Sequence, residues 1–180
     1  QYRQPEAHTR RVRELARSLF DGLEPLHGFG GAEARLLDEA ALLHDIGMAL
    51  GYHDHHKHGA YLVGAGSLPG TTHREQALLL LLVQYHRKGE PKLGPFKDVA
   101  EPDDARVLLQ LTACLRLAEY LERSRAGRVR GVRASIAQAQ VTLHLDASEV
   151  PHVEAWEARK QGSLFRKAFG RELVIEASGR

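Results

Sequence analysis

Leu42-Leu43-His44-Asp45-Ile46-Gly47 is the stretch on which the fold turns. An adjacent His-Asp pair closes an apolar helical run, and a glycine follows at once. Consecutive helix residues point about 100° apart, so the two side chains cannot normally face one ion in mid-helix. At a helix end the geometry relaxes, and Gly47 permits a sharp exit. The pattern predicts a helix over 32–44, with a buried face of Leu36, Leu37 and Ala40, that delivers His44 and Asp45 to one place.

Working outward, helical periodicity holds to about residue 125. Residues 6–23 carry Val12, Leu15, Leu19 and Leu23 on one stripe, and glycines between 28 and 31 end that unit. A short helix is expected over 57–65 and a loop over 67–72. A very apolar helix follows from 72 or 73 to 86. Residues 89–102, rich in Pro and Gly, read as a loop. A fifth helix runs from 103 or 104 to about 123, with acids at its positive end. The period then changes. Residues 132–137 and 140–145 alternate like the strands of a hairpin, 150–169 is helical again, and 172–176 reads as a last strand. The expected fold is mainly α: a helical bundle over residues 1–126, then a small α+β appendix over 127–180.

Several polar residues occupy positions where that bundle calls for apolar ones. His8 shares the stripe of Val12, Leu15 and Leu19. His86 continues Leu79, Leu82 and Val83. Glu119 lies at the edge of the stripe Leu108, Leu111, Leu115, and Glu122 nearer its centre. An unpartnered buried polar group costs about 1–3 kcal/mol. One such histidine alone reads as a core residue satisfied by a hydrogen bond. Four helices each turning one inward predict that the groups meet, and histidines meet carboxylates over a cation. Glu119 and Glu122 also have Arg116, Arg123 and Arg125 as ordinary ion-pair partners within reach.

Composition sets the frame. The chain has 180 residues, 25 Lys+Arg against 23 Asp+Glu, and one cysteine. That excludes a disordered or collagen-like chain and any internal disulfide, and suits a reducing, cytoplasmic setting. A net charge of +2 supplies no general drive towards nucleic acid. No apolar run reaches the roughly 18–20 residues of a membrane span, and no signal peptide is visible. The start at Gln1 reads as trimmed, or as a piece of a longer protein. The skew lies in the 11 histidines, most of them between His8 and His86, because histidine is the commonest metal ligand.

His8, then His44-Asp45-Ile46-Gly47, then an acid in Leu117-Ala118-Glu119-Tyr120-Leu121 resembles the HD superfamily of metal-dependent phosphohydrolases. The run His55-His56-Lys57-His58-Gly59-Ala60-Tyr61-Leu62-Val63 narrows this. So do Ser18-Leu19-Phe20-Asp21 and Leu121-Glu122-Arg123-Ser124-Arg125. Together they resemble the C-terminal HD-type region of the exopolyphosphatase/guanosine pentaphosphate phosphohydrolase (Ppx/GppA) family, over nearly the whole chain. The resemblance implies an all-α bundle holding a divalent ion on His8, His44, Asp45 and Glu119. Glu119 stands where that pattern has Asp, and so reaches one methylene further. It also implies a longer parent with an N-terminal actin-like part, which bears the family's polyphosphate hydrolysis site. No Gly-rich phosphate loop of that part occurs in these residues.

The candidate site follows. Asp45 would orient or deprotonate a water, and Lys57 would contact phosphate. His55, His56, His58 and His86 would hold a second ion or the leaving phosphate. Arg87, with Arg123 and Arg125 from the basic stretch 123–133, would bind phosphate; the alternative reading of that stretch is a solvated basic face or linker. His and carboxylate ligands suit Mn²⁺, Fe²⁺, Zn²⁺ or Ni²⁺ better than Mg²⁺. The expected partner is a phosphate-containing small molecule or polyphosphate. Two functions stand side by side: a phosphohydrolase acting on phosphate esters or anhydrides, such as polyphosphate or guanosine polyphosphates, and a non-catalytic polyanion-binding, dimerising or regulatory module of an exopolyphosphatase, for which a homodimer is one form.

Overall fold

A computed structural model describes residues 6–66 and 68–179; the start of the 67–72 loop, Ser67, lies outside them. Six helices form the body: α1 (Glu6–Gly22), α2 (Glu24–His27), α3 (Gly31–Leu43), α4 (His55–Ala65), α5 (His73–Tyr85) and α6 (Asp104–Leu121). The appendix is β1 (Val129–Ile136), β2 (Gln140–Ala147), α7 (His152–Arg159), α8 (Gly162–Phe169) and β3 (Glu172–Gly179). The mainly-α bundle with an α+β tail is as expected.

α6 is the axle. It is buried on nearly every face, including Leu108, Leu111, Leu115, Leu117 and Leu121, which marks a helix surrounded by others. α1, α3, α5, α7 and α8 pack against it. α1 turns Val12, Leu15, Ala16 and Leu19 inward and leaves its arginines outside. One apolar core runs through the helical body and into the appendix, where Leu143, Leu145, Phe165 and Ile175 join it. β1 and β2 pair antiparallel and β2 and β3 parallel, in the order β1-β2-β3. The α7–α8 pair makes the crossover that a parallel pair requires.

Three local expectations change. The single helix over 150–169 is broken at Lys160-Gln161 into α7 and α8, so that Ala158 and Phe165 both face the core. The 89–102 loop contains a 3₁₀ turn, Gly94–Val99, which lays Phe96 partly against the core. Gly47 is not a left-handed stop residue: positive φ occurs elsewhere. It lies in a 3₁₀ turn, Ile46–Ala49, where a Cβ would overlap the His55 carbonyl and the Gly59 amide of α4. Gly59 in turn would bring a Cβ to 2.8 Å from Val83 of α5. These two glycines let the turn after α3 cross α4 in backbone contact, and that crossing places His55 beside Asp45.

Candidate metal centre

Asp45 is the hinge of the site. It follows the α3 end as the first residue of the turn, is almost completely buried, and shows one oxygen to each of two histidine pairs. Its Oδ2 lies 3.8 Å from His8 Nε2 and 3.7 Å from His44 Nε2. Its Oδ1 lies 3.1 Å from His55 Nε2 and 3.8 Å from His86 Nε2. Glu119 closes the first group, with Oε2 at 3.2 Å from His8 and 3.3 Å from His44. The two histidines within each pair are 3.4 Å apart, Nε2 to Nε2.

The histidines are held by their far edges. Nδ1 of His44, His55 and His86 sits 2.7, 2.9 and 2.7 Å from the carbonyls of Ala41, Tyr52 and Val83, each three residues earlier. A carbonyl only accepts, so Nδ1 carries a proton, and in the neutral ring the Nε2 lone pair faces the cluster. This is the arrangement by which a protein fixes the tautomer of a ligating histidine. Two further grips come from α6. Arg116 donates to the carbonyls of Tyr85 and Gly89, and the Tyr120 hydroxyl donates to that of Arg87. They clamp the chain around His86 and Arg87.

The donors fit a small divalent ion. Ligands about 2.0–2.1 Å from a tetrahedral centre are separated by edges of about 3.3–3.4 Å. The separations around Glu119, His8 and His44 match such edges, and those to Asp45 are slightly wider. His8, His44 and Asp45 surround the first position, and Glu119 lies against its two histidines. Three donors, from Asp45, His55 and His86, surround the second, which leaves it an open side. Asp45 Oδ1 and Glu119 Oε2 have no hydrogen-bond donor although both are buried. Glu119 thus reaches the cluster despite its extra methylene.

Charge favours the same use. Burial alone would raise the carboxyl of Asp45, but the facing His55 and then His44 outweigh it and hold it well below the usual carboxylate range. Glu119 behaves alike: burial opposes ionisation, and His44 and His8 overcome it. Burial, reinforced by the charge of His44, pushes His86 down to about 3, so it stays neutral. His44 goes the other way: desolvation would lower it, but Glu119 and then Asp45 outweigh that and raise it, so an ion bound there would displace a proton.

A cavity of about 450 Å³ opens beside Asp45, lined also by Met48, Tyr52, His55, Arg87, Glu119, Arg123 and Arg125. Arg125 donates to Asp45 Oδ2 at 2.7 Å and holds a left-handed backbone conformation, φ 56. Arg87 lies 3.4 Å from His55 Nδ1 and over the Tyr52 ring.

Not every expected residue arrives. His56, one position after His55, points away and is buried with its Nδ1 unpartnered. Burial and then Lys88 press it down to about 4. His58 is half-buried, and among the described residues neither joins a donor group. Lys57 is exposed on the outer side of α4, where it pairs with Asp54 at 2.8 Å and borders an apolar groove beside Tyr61. Its place in the helix, between His56 and His58, turns it from the cavity. Arg128 faces Glu149 and Arg130 faces Asp146, so the basic stretch meets the cavity only at Arg123 and Arg125. Tyr52 and Met48 were not foreseen; the one signal for Tyr52 is its place three residues before His55.

Among curated proteins the chain is similar to guanosine-5'-triphosphate,3'-diphosphate pyrophosphatases. It is 31% identical to that of Aeromonas hydrophila over 121 residues, 67% of this chain and 24% of that protein. The protein of Pseudoalteromonas atlantica is 33% identical over 110 residues, 60% of this chain and 21% of its own length. That of Vibrio vulnificus is 31% identical over 146 residues, 80% and 29%. The chain thus spans less than a third of the relatives it matches. The family model for Ppx/GppA phosphatase, domain III, matches residues 1–158. A match that runs from the chain start through α6 and into α7 means that the chain belongs to the Ppx/GppA phosphatase family, as its domain III.

Proposed function

We propose that this domain is a divalent-metal phosphohydrolase centre, acting on phosphate esters or anhydrides. The observation that carries the reading is the convergence of His8, His44 and Glu119 on one side of Asp45, and of His55 and His86 on the other, with the edge lengths of small-ion polyhedra. A divalent ion bound there would polarise a phosphoryl oxygen and acidify a water. The protein's own part is defined by its side chains. Asp45, common to both donor groups, would help hold the ion and would orient a water through Oδ1. Arg87, Arg123 and Arg125 receive the non-bridging phosphate oxygens, Arg125 while still held to Asp45 Oδ2. The buried walls exclude bulk water around the carboxylates and strengthen each charge contact. Guanosine polyphosphates and polyphosphate are the substrate types we favour, since the relatives' names speak of a guanosine polyphosphate. We place the protein in the cytoplasm, in keeping with its one buried free cysteine and the absence, among described residues, of any helix long and apolar enough to cross a membrane.

A second reading is a non-catalytic polyanion-binding or regulatory module of a longer phosphatase. The Arg125 guanidinium on Asp45 favours it, because a cation already neutralises part of the centre. Elemental analysis of untagged protein, with phosphate release from p-nitrophenyl phosphate, bis-p-nitrophenyl phosphate and polyphosphate, separates the two. The enzyme reading expects a bound transition metal, and metal-dependent release that Asp45→Ala abolishes. No metal and no release, with retained polyphosphate binding, would leave the module.

A further inference from the structure

Three histidines of the centre have their Nδ1 fixed by carbonyls; His8 does not. Its Nδ1 is buried and has no partner, although its Nε2 lies as deep in the cluster as the others. A histidine that ligates through Nε2 needs an acceptor for Nδ1–H, or its tautomer and ring angle are left loose. α1 and α6 pack side by side. On α6, Glu119 faces His8 Nε2, and Glu122 comes one turn later, at the helix end, with its side chain also buried. Glu122 spends one oxygen on its own loop: Oε1 accepts from the Gly127 amide at 3.1 Å. Its Oε2 is buried and without a donor. The structure therefore holds one orphan donor and one orphan acceptor on adjacent helix faces, both shut off from bulk water.

We infer that Glu122 is a positioning residue for the metal centre: its Oε2 takes the Nδ1–H of His8 through one ordered water. This inference rests on the metal-centre reading above. Its support is geometric: the two unpartnered buried atoms on packed helices. Burial, with Glu154 of α7, raises the Glu122 carboxyl, and the Gly127 amide, His8 and Arg11 of α1 only partly offset it. Glu154 is itself buried with both oxygens unpartnered. The Glu122 carbonyl also accepts from the Arg125 amide at 2.9 Å, so one residue supports both a ligand and the arginine loop of the cavity.

The test is calorimetric titration of Mn²⁺ into chelator-stripped full chain. Wild type is compared with His8→Ala, His86→Ala and Glu122→Gln. Gln keeps an acceptor for the Gly127 amide but puts an NH₂ where Oε2 was, and an NH₂ cannot accept. The expected result is a 10–100-fold loss of affinity in the component that His8→Ala removes, with the component sensitive to His86→Ala unchanged. Imidazole nitrogen NMR on the Mg²⁺- or Zn²⁺-loaded chain should show His8 protonated at Nδ1 in wild type and a mixed tautomer in Glu122→Gln. Unchanged Mn²⁺ affinity in Glu122→Gln, with His8→Ala defective, overturns this inference alone and leaves Glu122 a loop fastener. No binding by wild type overturns the metal-centre reading and this inference with it.

Discussion

A residue's worth in this protein is set by what it must not touch as much as by what it touches. Gly47 is the clearest case. Any side chain there would overlap the α4 backbone at His55 and Gly59, so Gly47→Ala should cost about 2–4 kcal/mol in urea unfolding. It should also weaken Mn²⁺ binding, because His55 is the residue displaced. Cys114 gives a second expectation. Burial pushes its thiol up to about 12, so it should resist iodoacetamide at pH 8 until the chain unfolds. The sign of its pH effect follows from which state holds the proton. Between pH 9 and 12 the folded state keeps a proton that the unfolded state releases, so stability falls as pH rises. From pH 9 to 10 the wild type should lose about 1 kcal/mol more than Cys114→Ala, read from urea midpoints. Equal slopes would show the thiol to be less shielded than its burial implies. The inward placement of His8 and His86 was legible because each falls on an apolar stripe, and that of His44 because it closes an apolar helix beside Asp45. His56, Lys57 and His58 neighbour His55 in sequence but stand apart from the donor groups, because a helix turns neighbours about 100° apart.

At the scale of elements, helices announced themselves and their ends did not. α5 is the exception, since its start is written in the chain. Thr72 Oγ1 accepts from the Glu75 amide at 3.2 Å, and Glu75 accepts from the Thr72 amide at 2.8 Å. Thr72→Ala should therefore cost about 1 kcal/mol, a loss visible in thermal melts followed by far-ultraviolet circular dichroism. α5 ends at His86, so fraying at its start would not reach the site; Mn²⁺ affinity in Thr72→Ala should match wild type. The break between α7 and α8 was illegible, because no proline follows Pro151 before residue 169 and the apolar spacing reads as one helix. Packing Phe165 against α6 is what bends the chain there, a tertiary effect overriding local periodicity. The strand pairing was half legible. Alternation marked the β1–β2 hairpin, while the parallel placement of β3 beside β2 depends on a crossover that periodicity cannot announce.

For the whole molecule the question is whether body and appendix unfold together. Gln110 of α6 donates to the Ala168 carbonyl of α8 at 2.8 Å, and Phe165 is fully buried in the core that both share. Phe165→Ala should cost about 3–5 kcal/mol. Trp156, in the appendix, and far-ultraviolet dichroism, dominated by the body, should report one coincident transition in wild type. Two transitions would show that the shared core does not couple the parts. The same long-range arrangement has a temporal side. His8 belongs to the first helix and Glu119 to the sixth, so the donors are drawn from nearly the full length of the body. As the chain leaves the ribosome, the first histidine waits through four intervening helices before its carboxylate partner exists. Contacts so distant in sequence form late. Ion capture would then be a finishing step of biogenesis: a metal-starved cell would accumulate folded but empty domain, and later supply of metal would load it without new synthesis.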